Sequence, residues 1–300
     1  MPTVTVVIPV LNRERELQRA LNSVRQQTFE NWECIVVDDA SPVDLQAVVA
    51  AFDDHRIRYV RRDETGGPSP ARLTAWRLAN SDYLLNFDSD WELYPWTLAQ
   101  GVAHLERTPE VDVATGLCLR NEDSRLFVRV RDAPRIITPL QFRTEEFAPD
   151  RVAMVRADVV REWLTLPGDY FAFEAALWVT TGLSRTRLAL DEPWALYHTS
   201  SPDRVTPGGR TPAGRQRSLD DSITFLRERK DLISGGPCVA VDGILEDILL
   251  TLSRARASEA KLAATALQHR GVSPRRALVR QVVRRARGKL RRGEPPVFWA

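Results

Sequence analysis

The chain has 300 residues, of which 43% are hydrophobic and 27% charged, a composition that excludes collagen-like, low-complexity and wholly disordered proteins. Its 42 basic and 40 acidic residues give a net charge of +2, which does not favour a general polyanion-binding protein. Three widely spaced cysteines fit neither a disulfide framework nor a zinc site and favour a reducing compartment. There is no secretion-signal pattern at the start and no apolar run long enough to span a bilayer, so we expect one or two domains in the cytoplasm.

Strand and helix patterns alternate through residues 1–115. Residues 4–10 form a β-branched run with no polar residue except threonine, as expected of a central parallel strand covered on both faces. Asn12 is placed to cap the helix that follows. Further strands are predicted at 33–37, 57–60, 83–87 and 111–116, and further helices at 45–52, 71–79 and 95–107. This alternation predicts an α/β sheet.

The rest of the chain has a different pattern. Residues 117–131 alternate loosely, which suits antiparallel or edge strands. Residues 206–217 are rich in glycine and proline and predict a linker or mobile loop. Three helices are predicted after it, at 219–231, 239–268 and 274–290.

Residues 274–292 carry nine basic side chains and no acidic one, so the remainder of the chain is net acidic. Helical spacing places the apolar side chains on one face and arginines on a neighbouring stripe: Val279, Val282, Val283, Ala286 and Leu290 against Arg276, Arg280, Arg284, Arg287 and Arg291. Such a helix can lie on an anionic membrane surface, or it can be a solvated face packed against the protein. Nucleic acid is not expected as a partner because no aromatic platform is interleaved.

Two acidic pairs follow predicted strands. Asp88 and Asp90 are two residues apart, so both carboxylates can approach one cation, and their oxygens suit Mg²⁺ or Mn²⁺. Asp38 and Asp39 end the second strand and are therefore expected at the same edge of the sheet. The alternatives are solvated turn residues for the first pair and a turn with a helix cap for the second.

A glycine-rich turn at residues 66–72 precedes a predicted helix and puts Arg72 in its first turn. Free backbone N–H groups and a guanidinium can meet phosphate there, although an ordinary loop has the same pattern. The sequence contains no P-loop, GxGxxG, GxSxG or HExxH motif. This disfavours ATPases, dinucleotide oxidoreductases, serine hydrolases and zinc peptidases.

Five segments together resemble the nucleotide-sugar-binding half of family-two glycosyltransferases of GT-A fold: VVIPVLNR at 6–13, ALNSVRQQTF at 20–29, WECIVVDDAS at 32–41, GPSPAR at 67–72 and LNFDSD at 85–90. The resemblance continues weakly to about residue 205. It implies a Rossmann-related mixed sheet flanked by helices, to which the helices predicted from the later residues add a helical C-terminal extension. The expected divisions are a nucleotide-sugar-binding half at 1–115, an acceptor half at 116–205, the linker at 206–217 and the extension at 218–300.

The resemblance also implies roles for particular residues. The nucleotide sugar would contact Pro9, Leu11, Asn12, Asp38, Asp39, Gly67, Arg72, Asp88 and Ser89. Within this set, Pro9 and Leu11 would line the nucleoside pocket, and Asp39 would accept the pyrimidine imide N–H. Arg72 would lie near the diphosphate. The metal would be held by Asp88, by Asp90 as the more direct ligand and by His198, for which a structural role is the alternative.

Inverting transfer needs a carboxylate that removes the proton of the acceptor hydroxyl. The family usually supplies it from a Glu-Asp pair, whereas this chain has Glu174 followed by Ala175. Glu174 is the first candidate and Asp169 the second, while a carboxylate at a helix N-terminus is the alternative for Glu174. Other departures are Leu11 for an aromatic residue, Trp91 for a third acidic residue and Leu73 for asparagine.

The resemblance therefore implies a glycosyltransferase that moves a sugar from a nucleoside diphosphate, UDP being favoured, to a hydroxyl of a glycan or other acceptor. Transfer would be assisted by Mn²⁺ or Mg²⁺ and would invert the anomeric centre. A lipid-linked acceptor in cell-surface polysaccharide synthesis would suit a peripheral position on the inner face of the membrane. The alternative is a catalytically degenerate protein that binds nucleotide or acts at a membrane surface. A nucleotidyltransferase is disfavoured because no lysine lies near the glycine-rich turn.

Overall fold

A computed structural model describes residues 1–120, 134–144, 151–164, 181–198 and 238–279, together with residues 220, 223, 224, 227 and 281. The chain divides into two compact units, one of residues 1–139 and 148–214 and one of residues 140–147 and 215–300. The boundaries predicted around residues 206–217 remain a prediction. Residues 140–147 belong to the second unit although they are distant from the rest of it in the sequence. No local sequence pattern predicts this assignment.

The first unit contains the alternating strands and helices. In chain order they are β1 (Val4–Val10), α1 (Glu14–Arg25), β2 (Trp32–Asp38), α2 (Leu45–Ala50), β3 (Ile57–Arg61), α3 (Pro68–Leu78), β4 (Tyr83–Asn86), β5 (Trp91–Leu93), α4 (Thr97–Arg107), β6 (Val113–Arg120), β7 (Arg135–Ile137), α5 (Pro139–Thr144), β8 (Arg151–Arg156), α6 (Ala157–Trp163) and β9 (Arg187–Tyr197). Helix α5 begins in this unit and continues into the second.

Among the described residues, one sheet contains all nine strands in the order β3-β2-β1-β4-β8-β6-β9-β5, with β7 also pairing with β9. Strands β3, β2, β1 and β4 are parallel. Strand β8 is antiparallel to both β4 and β6, and β9 runs parallel to β6. The predicted α/β class and mixed sheet are confirmed.

Strand β1 is central, as its sequence predicts, and all seven of its residues are buried. Val6 and Ile8 pack in one cluster with Leu17 and Leu21 of α1. The residues of β1 that alternate with Val6 and Ile8 face the opposite side of the sheet. Helix α3 packs against β1 and β2. Pro9 is tolerated in this strand because pairing with β4 stops at Val7, so its missing N–H lies beyond that ladder.

The segment after residue 116 is described only as far as residue 120, within β6. Leu117 pairs with Arg151 of the antiparallel strand β8, which agrees with the prediction of antiparallel or edge strands. Residues 117–120 also pair in parallel with β9, which the sequence does not predict. Strand β5, which directly follows Asp90, is not predicted because three residues give no readable alternation. Its position is set by antiparallel pairing with the end of β9.

The second unit contains α7 (Val239–Ala255) and α8 (Ala257–His269). The prediction of one helix over 239–268 is wrong, because Arg256 lies between the two helices with a non-helical backbone, φ −142° and ψ 74°. The apolar periodicity continues across Arg256 and does not reveal the break. Asp242 near the start of α7 forms an ion pair with Arg270 just after α8, so the two helices run antiparallel.

The basic segment is described as helix at residues 274–279 and 281. Val279, assigned from the sequence to the apolar face, is 64% exposed, whereas Ala277 and Gln281 are buried. The packed side includes Gln281, which donates a 3.4 Å hydrogen bond to Glu246. The other residues of the predicted apolar face, from Val282 to Leu290, lie outside the described residues, so the amphipathic helix stays a prediction. Over the described ranges, no helix is both long and apolar enough to cross a membrane.

Candidate active site

The segments that follow β1, β2 and β4 meet at one edge of the sheet. The chain progresses from β1 outward through β2 to β3, and then returns to the other side of β1 as β4. The direction of strand order therefore changes between β1 and β4, and the carboxyl ends of parallel strands at such a point form a crevice that binds ligands. Asp38, Asp39, Asp88 and Asp90 all belong to these segments, as the sequence predicts.

The loop after β1 carries Leu11, Asn12 and Arg13. Leu11 is 36% exposed and Pro9 is buried within β1. Asn12 has φ 55°, a left-handed conformation that asparagine tolerates, and its backbone N–H donates to Ser41 Oγ at 2.9 Å. The prediction that Asn12 caps α1 is therefore wrong: the helix begins at Glu14, and Asn12 joins the loops after β1 and β2.

The Asp38 carboxylate is fully buried and satisfied by the protein itself. Its Oδ2 accepts hydrogen bonds from Tyr59 Oη at 2.6 Å and Arg61 Nη1 at 2.5 Å. Its Oδ1 accepts from the Ser41 N–H at 2.8 Å. Burial and the bond to Asp38 both raise the pKa of Tyr59. Asp38 thus fixes the loop after β2 against β3.

The Asp39 carboxylate holds the glycine turn. Gly67 N–H donates to Oδ2 at 2.6 Å, and Gly66 N–H is shared between the two oxygens at 3.1 Å each. Arg62 also donates to Oδ1. A carboxylate accepts about four hydrogen bonds, so these donors fill its capacity. The N–H groups expected to meet phosphate are therefore used within the protein.

Helix α3 begins earlier than predicted, at Pro68, and this moves Arg72 from the first to the second turn. Pro68 and Pro70 are accommodated because the first N–H groups of a helix have no partner within it. Gly67 precedes the helix with φ 97°, a conformation that other residues rarely adopt. This turn directs Arg72, whose side chain is only 3% exposed, to Asp88.

The Asp88-Ser89-Asp90 motif follows β4, and each of its carboxylates meets an arginine. Arg72 donates to Asp88 Oδ1, and Arg13 Nη1 donates to Asp90 Oδ2 at 3.0 Å. Ser89 is buried. Burial raises the pKa of Asp90 to about 6, with a further contribution from the Asp88 charge, while Arg13 acts in the opposite direction.

His198 follows β9 and lies beside the motif. Its backbone N–H donates to the Asp90 carbonyl at 3.1 Å, and its Nε2 lies 2.9 Å from Glu92 Oε1. Burial and then the Arg19 charge lower the pKa of His198, whereas Glu92 raises it. The net lowering favours the neutral imidazole at pH 7, the form in which histidine binds metals.

The residues at this edge fit a divalent cation that also binds phosphate. Asp88 and Asp90 offer hard carboxylate oxygens, and Mg²⁺ is typically bound through one or two carboxylates together with substrate phosphates and water. Asp90 is largely buried, and its raised pKa shows that its charged form is disfavoured there. A bound cation would stabilise that charged form. In the described part of the chain no group of three acidic, histidine or cysteine side chains is preassembled for a metal, so the phosphates would complete the ligand set.

Sequence reasoning named Arg72, but it missed the other arginines that pair with these carboxylates: Arg13, Arg61 and Arg62. Arg61 ends β3 and Arg62 directly follows it, and Arg61 lies opposite Asp38 in the parallel register of β2 and β3. Opposite charges at the ends of consecutive predicted strands are a signal that could have indicated these pairs. Arg13 carries no comparable local signal. The predicted bases Glu174 and Asp169 lie outside the described residues.

Sequence comparisons identify relatives of the chain. The model of the family described as Glycosyl transferase family 2 matches residues 5–164. WcaA of Escherichia coli K12, named for colanic acid biosynthesis, is 36% identical over 108 residues, which are 35% of this chain and 39% of that protein. A Campylobacter jejuni protein named GalNAc(5)-diNAcBac-PP-undecaprenol beta-1,3-glucosyltransferase is 24% identical over 229 residues, 72% of this chain and 71% of that protein. The chain thus spans about two fifths of the first relative's length.

Solved structures share the fold. TarS residues 1–349 from S. aureus, in complex with UDP-GlcNAc, superpose with a TM-score of 0.64 at 18% identity, covering 88% of this chain and 79% of that one. The mannosyltransferase PcManGT from Pyrobaculum calidifontis, in complex with GDP-Man and Mn²⁺, gives a TM-score of 0.55 at 20% identity, covering 95% and 80%. The expected GT-A-like fold is confirmed by these neighbours.

Proposed function

This chain belongs to glycosyltransferase family 2, and from that premise we propose that it transfers a sugar from a nucleoside diphosphate to a hydroxyl group of an acceptor. The observation that carries the proposal is the convergence of Asp39, Arg72, Asp88 and Asp90 at the switch point between β1 and β4. That crevice combines carboxylates for a cation with a guanidinium for phosphate. Relatives and neighbours named for nucleotide-sugar chemistry support the same activity.

In this proposal the nucleoside lies against the loop after β1, where the exposed side chain of Leu11 supplies aliphatic contact. Asp39 keeps the glycine turn in place and orients toward the base, with Arg62 yielding its position on the carboxylate to the imide N–H. Arg72 binds the diphosphate. Asn12, Gly67 and Ser89 shape the walls of the pocket. Asp38 positions Asn12 through Ser41, and Asp39 positions Gly67.

Asp88, Asp90 and neutral His198 would hold Mn²⁺ or Mg²⁺ together with the diphosphate. A bound cation supplies charge stabilisation to the departing nucleoside diphosphate. Glu174, or failing it Asp169, removes the acceptor proton as the hydroxyl oxygen attacks the anomeric carbon from the side opposite the diphosphate, which inverts that centre. The Mn²⁺ bound in the Pyrobaculum neighbour supports a divalent metal here.

We favour UDP-sugars as donors and a lipid-linked glycan as acceptor. UDP-GlcNAc is bound in the S. aureus neighbour, and the Campylobacter relative is named for an undecaprenol-linked acceptor. An acceptor in the bilayer would require the enzyme to work at the membrane surface. The basic segment at 274–292 is suited to contact anionic lipids there.

The proposal is tested by calorimetric titration of the protein with UDP, dTDP and GDP, each with and without Mn²⁺. We expect Mn²⁺-dependent binding of UDP and release of UDP from the matching UDP-sugar. Asp90→Asn should weaken UDP binding in Mn²⁺ by at least about tenfold, because a ligand carboxylate becomes a neutral amide. The exposed Asp191→Asn change, on the same sheet, is the matched control and should bind as the parent does.

Equal UDP affinity in the Asp90→Asn and Asp191→Asn variants would remove Asp90 from the metal site. Nucleotide binding without turnover of any UDP-sugar would favour the degenerate, non-catalytic alternative.

A further inference from the structure

Each carboxylate of the Asp88-Ser89-Asp90 motif already has a cation beside it, supplied by the protein. Arg72 pairs with Asp88. Arg13 pairs with Asp90 at 3.0 Å, and the two side chains are only 10% and 9% exposed. An unpaired charge at such depth is strongly disfavoured, so the pairs keep the acidic edge neutral while no donor is bound.

The charges of this group of four side chains determine what can bind to it. Two carboxylates and two guanidiniums sum to zero. A divalent cation alone would leave two uncompensated positive charges in a partly buried site, and a diphosphate alone would leave at least two negative ones. Bound together, the cation and the diphosphate nearly cancel.

Arg13 connects the loop after β1 to the motif after β4. It is the last residue of the loop that carries Leu11 and directly precedes α1, so its backbone lies on the side of the crevice to which the proposed function assigns the nucleoside. Its side chain reaches across to Asp90, on the metal side. A cation must compete with this guanidinium for Asp90 Oδ2. A guanidinium that is displaced from a carboxylate can bind phosphate oxygens instead, because its planar set of N–H donors can bind either group through two hydrogen bonds.

We propose that Arg13 is an exchangeable counter-ion, which neutralises Asp90 in the donor-free protein and moves to the donor's phosphate oxygens when a divalent cation takes its place. This inference rests on the proposed function, since it assumes that Asp88 and Asp90 hold the cation. Arg13 thus contacts Asp90 in the donor-free protein and the donor's phosphate once the cation is bound. It makes binding of cation and nucleotide mutually dependent, with an expected coupling in the range of about 5- to 150-fold.

The test measures Mn²⁺ affinity directly, from the electron paramagnetic resonance signal of free Mn²⁺, with and without UDP. Arg13→Gln removes the charge while keeping a polar side chain of similar reach. We expect it to bind Mn²⁺ at least about fivefold more tightly than the parent without UDP, and to gain less affinity when UDP is added. Arg13→Lys keeps the charge and should resemble the parent without UDP.

The matched control is Arg15→Gln, which removes the same charge from an exposed residue two positions along the chain and should change Mn²⁺ affinity little. Thermal unfolding of each variant establishes that it is folded. If Arg13→Gln does not fold, Arg13→Lys decides: parent-like Mn²⁺ affinity without UDP, together with UDP coupling, supports the proposal, whereas tighter Mn²⁺ binding overturns it.

Two results distinguish failure of this inference from failure of the proposed function. Mn²⁺ binding that is enhanced by UDP in the parent, but equal or weaker in Arg13→Gln without UDP, overturns the counter-ion role alone. The metal site would stand in that case. Absence of Mn²⁺ binding by the parent, even with UDP, overturns both.

Discussion

At the scale of single residues, paired charges recur away from the crevice as well, and the turn before β3 shows how they stabilise the fold. Arg56 donates to both Asp54 oxygens, from Nε at 3.0 Å and from Nη2 at 2.8 Å. Its guanidinium carbon lies 3.9 Å from the centre of the Trp32 ring. The hydrogen bond from Arg56 is the main cause that lowers the pKa of Asp54 to about 2.

This pair predicts a pH-dependent contribution to stability. Because the pKa of Asp54 is lower in the folded state, its stabilising effect is complete above about pH 4 and is lost as the pH falls toward 2. We expect Asp54→Asn to lower the free energy of unfolding by about 1–2 kcal/mol at pH 7. Urea titrations of both proteins from pH 7 to pH 3 would measure it, with Asp191→Asn as control. A difference that stays constant as the pH falls would contradict this origin.

At the scale of secondary-structure elements, the pairing of β6 with β9 depends on one close contact. The register of the two strands shifts on either side of Leu117, and a Cβ atom at Gly116 would lie 2.2 Å from Trp194 Cγ. Trp194 is fully buried and cannot move aside easily, since its Nε1 donates to Gln100 at 3.1 Å and its carbonyl accepts from Thr97 at 2.6 Å. Only glycine fits at position 116.

The same substitution at two glycines should therefore have opposite effects. Gly116→Ala should destabilise the protein by about 1–3 kcal/mol or more, because the methyl group overlaps the Trp194 ring. Gly243→Ala, within α7 and with open space at its Cβ position, should stabilise the helix by about 0.5–1 kcal/mol. Urea unfolding of both variants tests the pair, and a neutral Gly116→Ala would show that β6 and β9 can readjust.

At the scale of the whole molecule, charge is distributed unevenly along the chain. The crevice pairs its acidic residues with arginines inside the first unit. The second unit ends in the basic segment at 274–292, where Arg275 and Arg276 are exposed. Proximity to an anionic bilayer stabilises each basic residue by roughly 1 kcal/mol, an effect that salt screens.

We therefore expect the protein to co-sediment with vesicles that contain phosphatidylglycerol, and not with phosphatidylcholine alone. Added salt should release it. Replacing Arg275 and Arg276 by glutamine should weaken binding by about thirtyfold at low salt, whereas the same change at the exposed Arg15 and Arg107 of the first unit should have less effect. Equal losses from both double variants would indicate a general charge effect rather than contact through the basic segment.

The sequence by itself determined the parallel half of the sheet and the acidic residues at its edge. Local apolar runs predict strands such as β1. Because these strands alternate with helices, they are parallel and their carboxyl ends meet at one edge of the sheet. The positions of Asp38, Asp39, Asp88 and Asp90 follow from that local information alone.

The tertiary structure decided which charges meet, because side chains far apart in sequence are paired only by folding. Arg13 and Asp90 are separated by 77 positions, and no local pattern indicates that this edge is neutral. The same holds for the parallel pairing of β6 with β9 and for the ion pair of Asp242 with Arg270, both of which join segments that are distant in the sequence. Local periodicity selects helix or strand, whereas contacts between distant segments select neighbours, ends and the buried face.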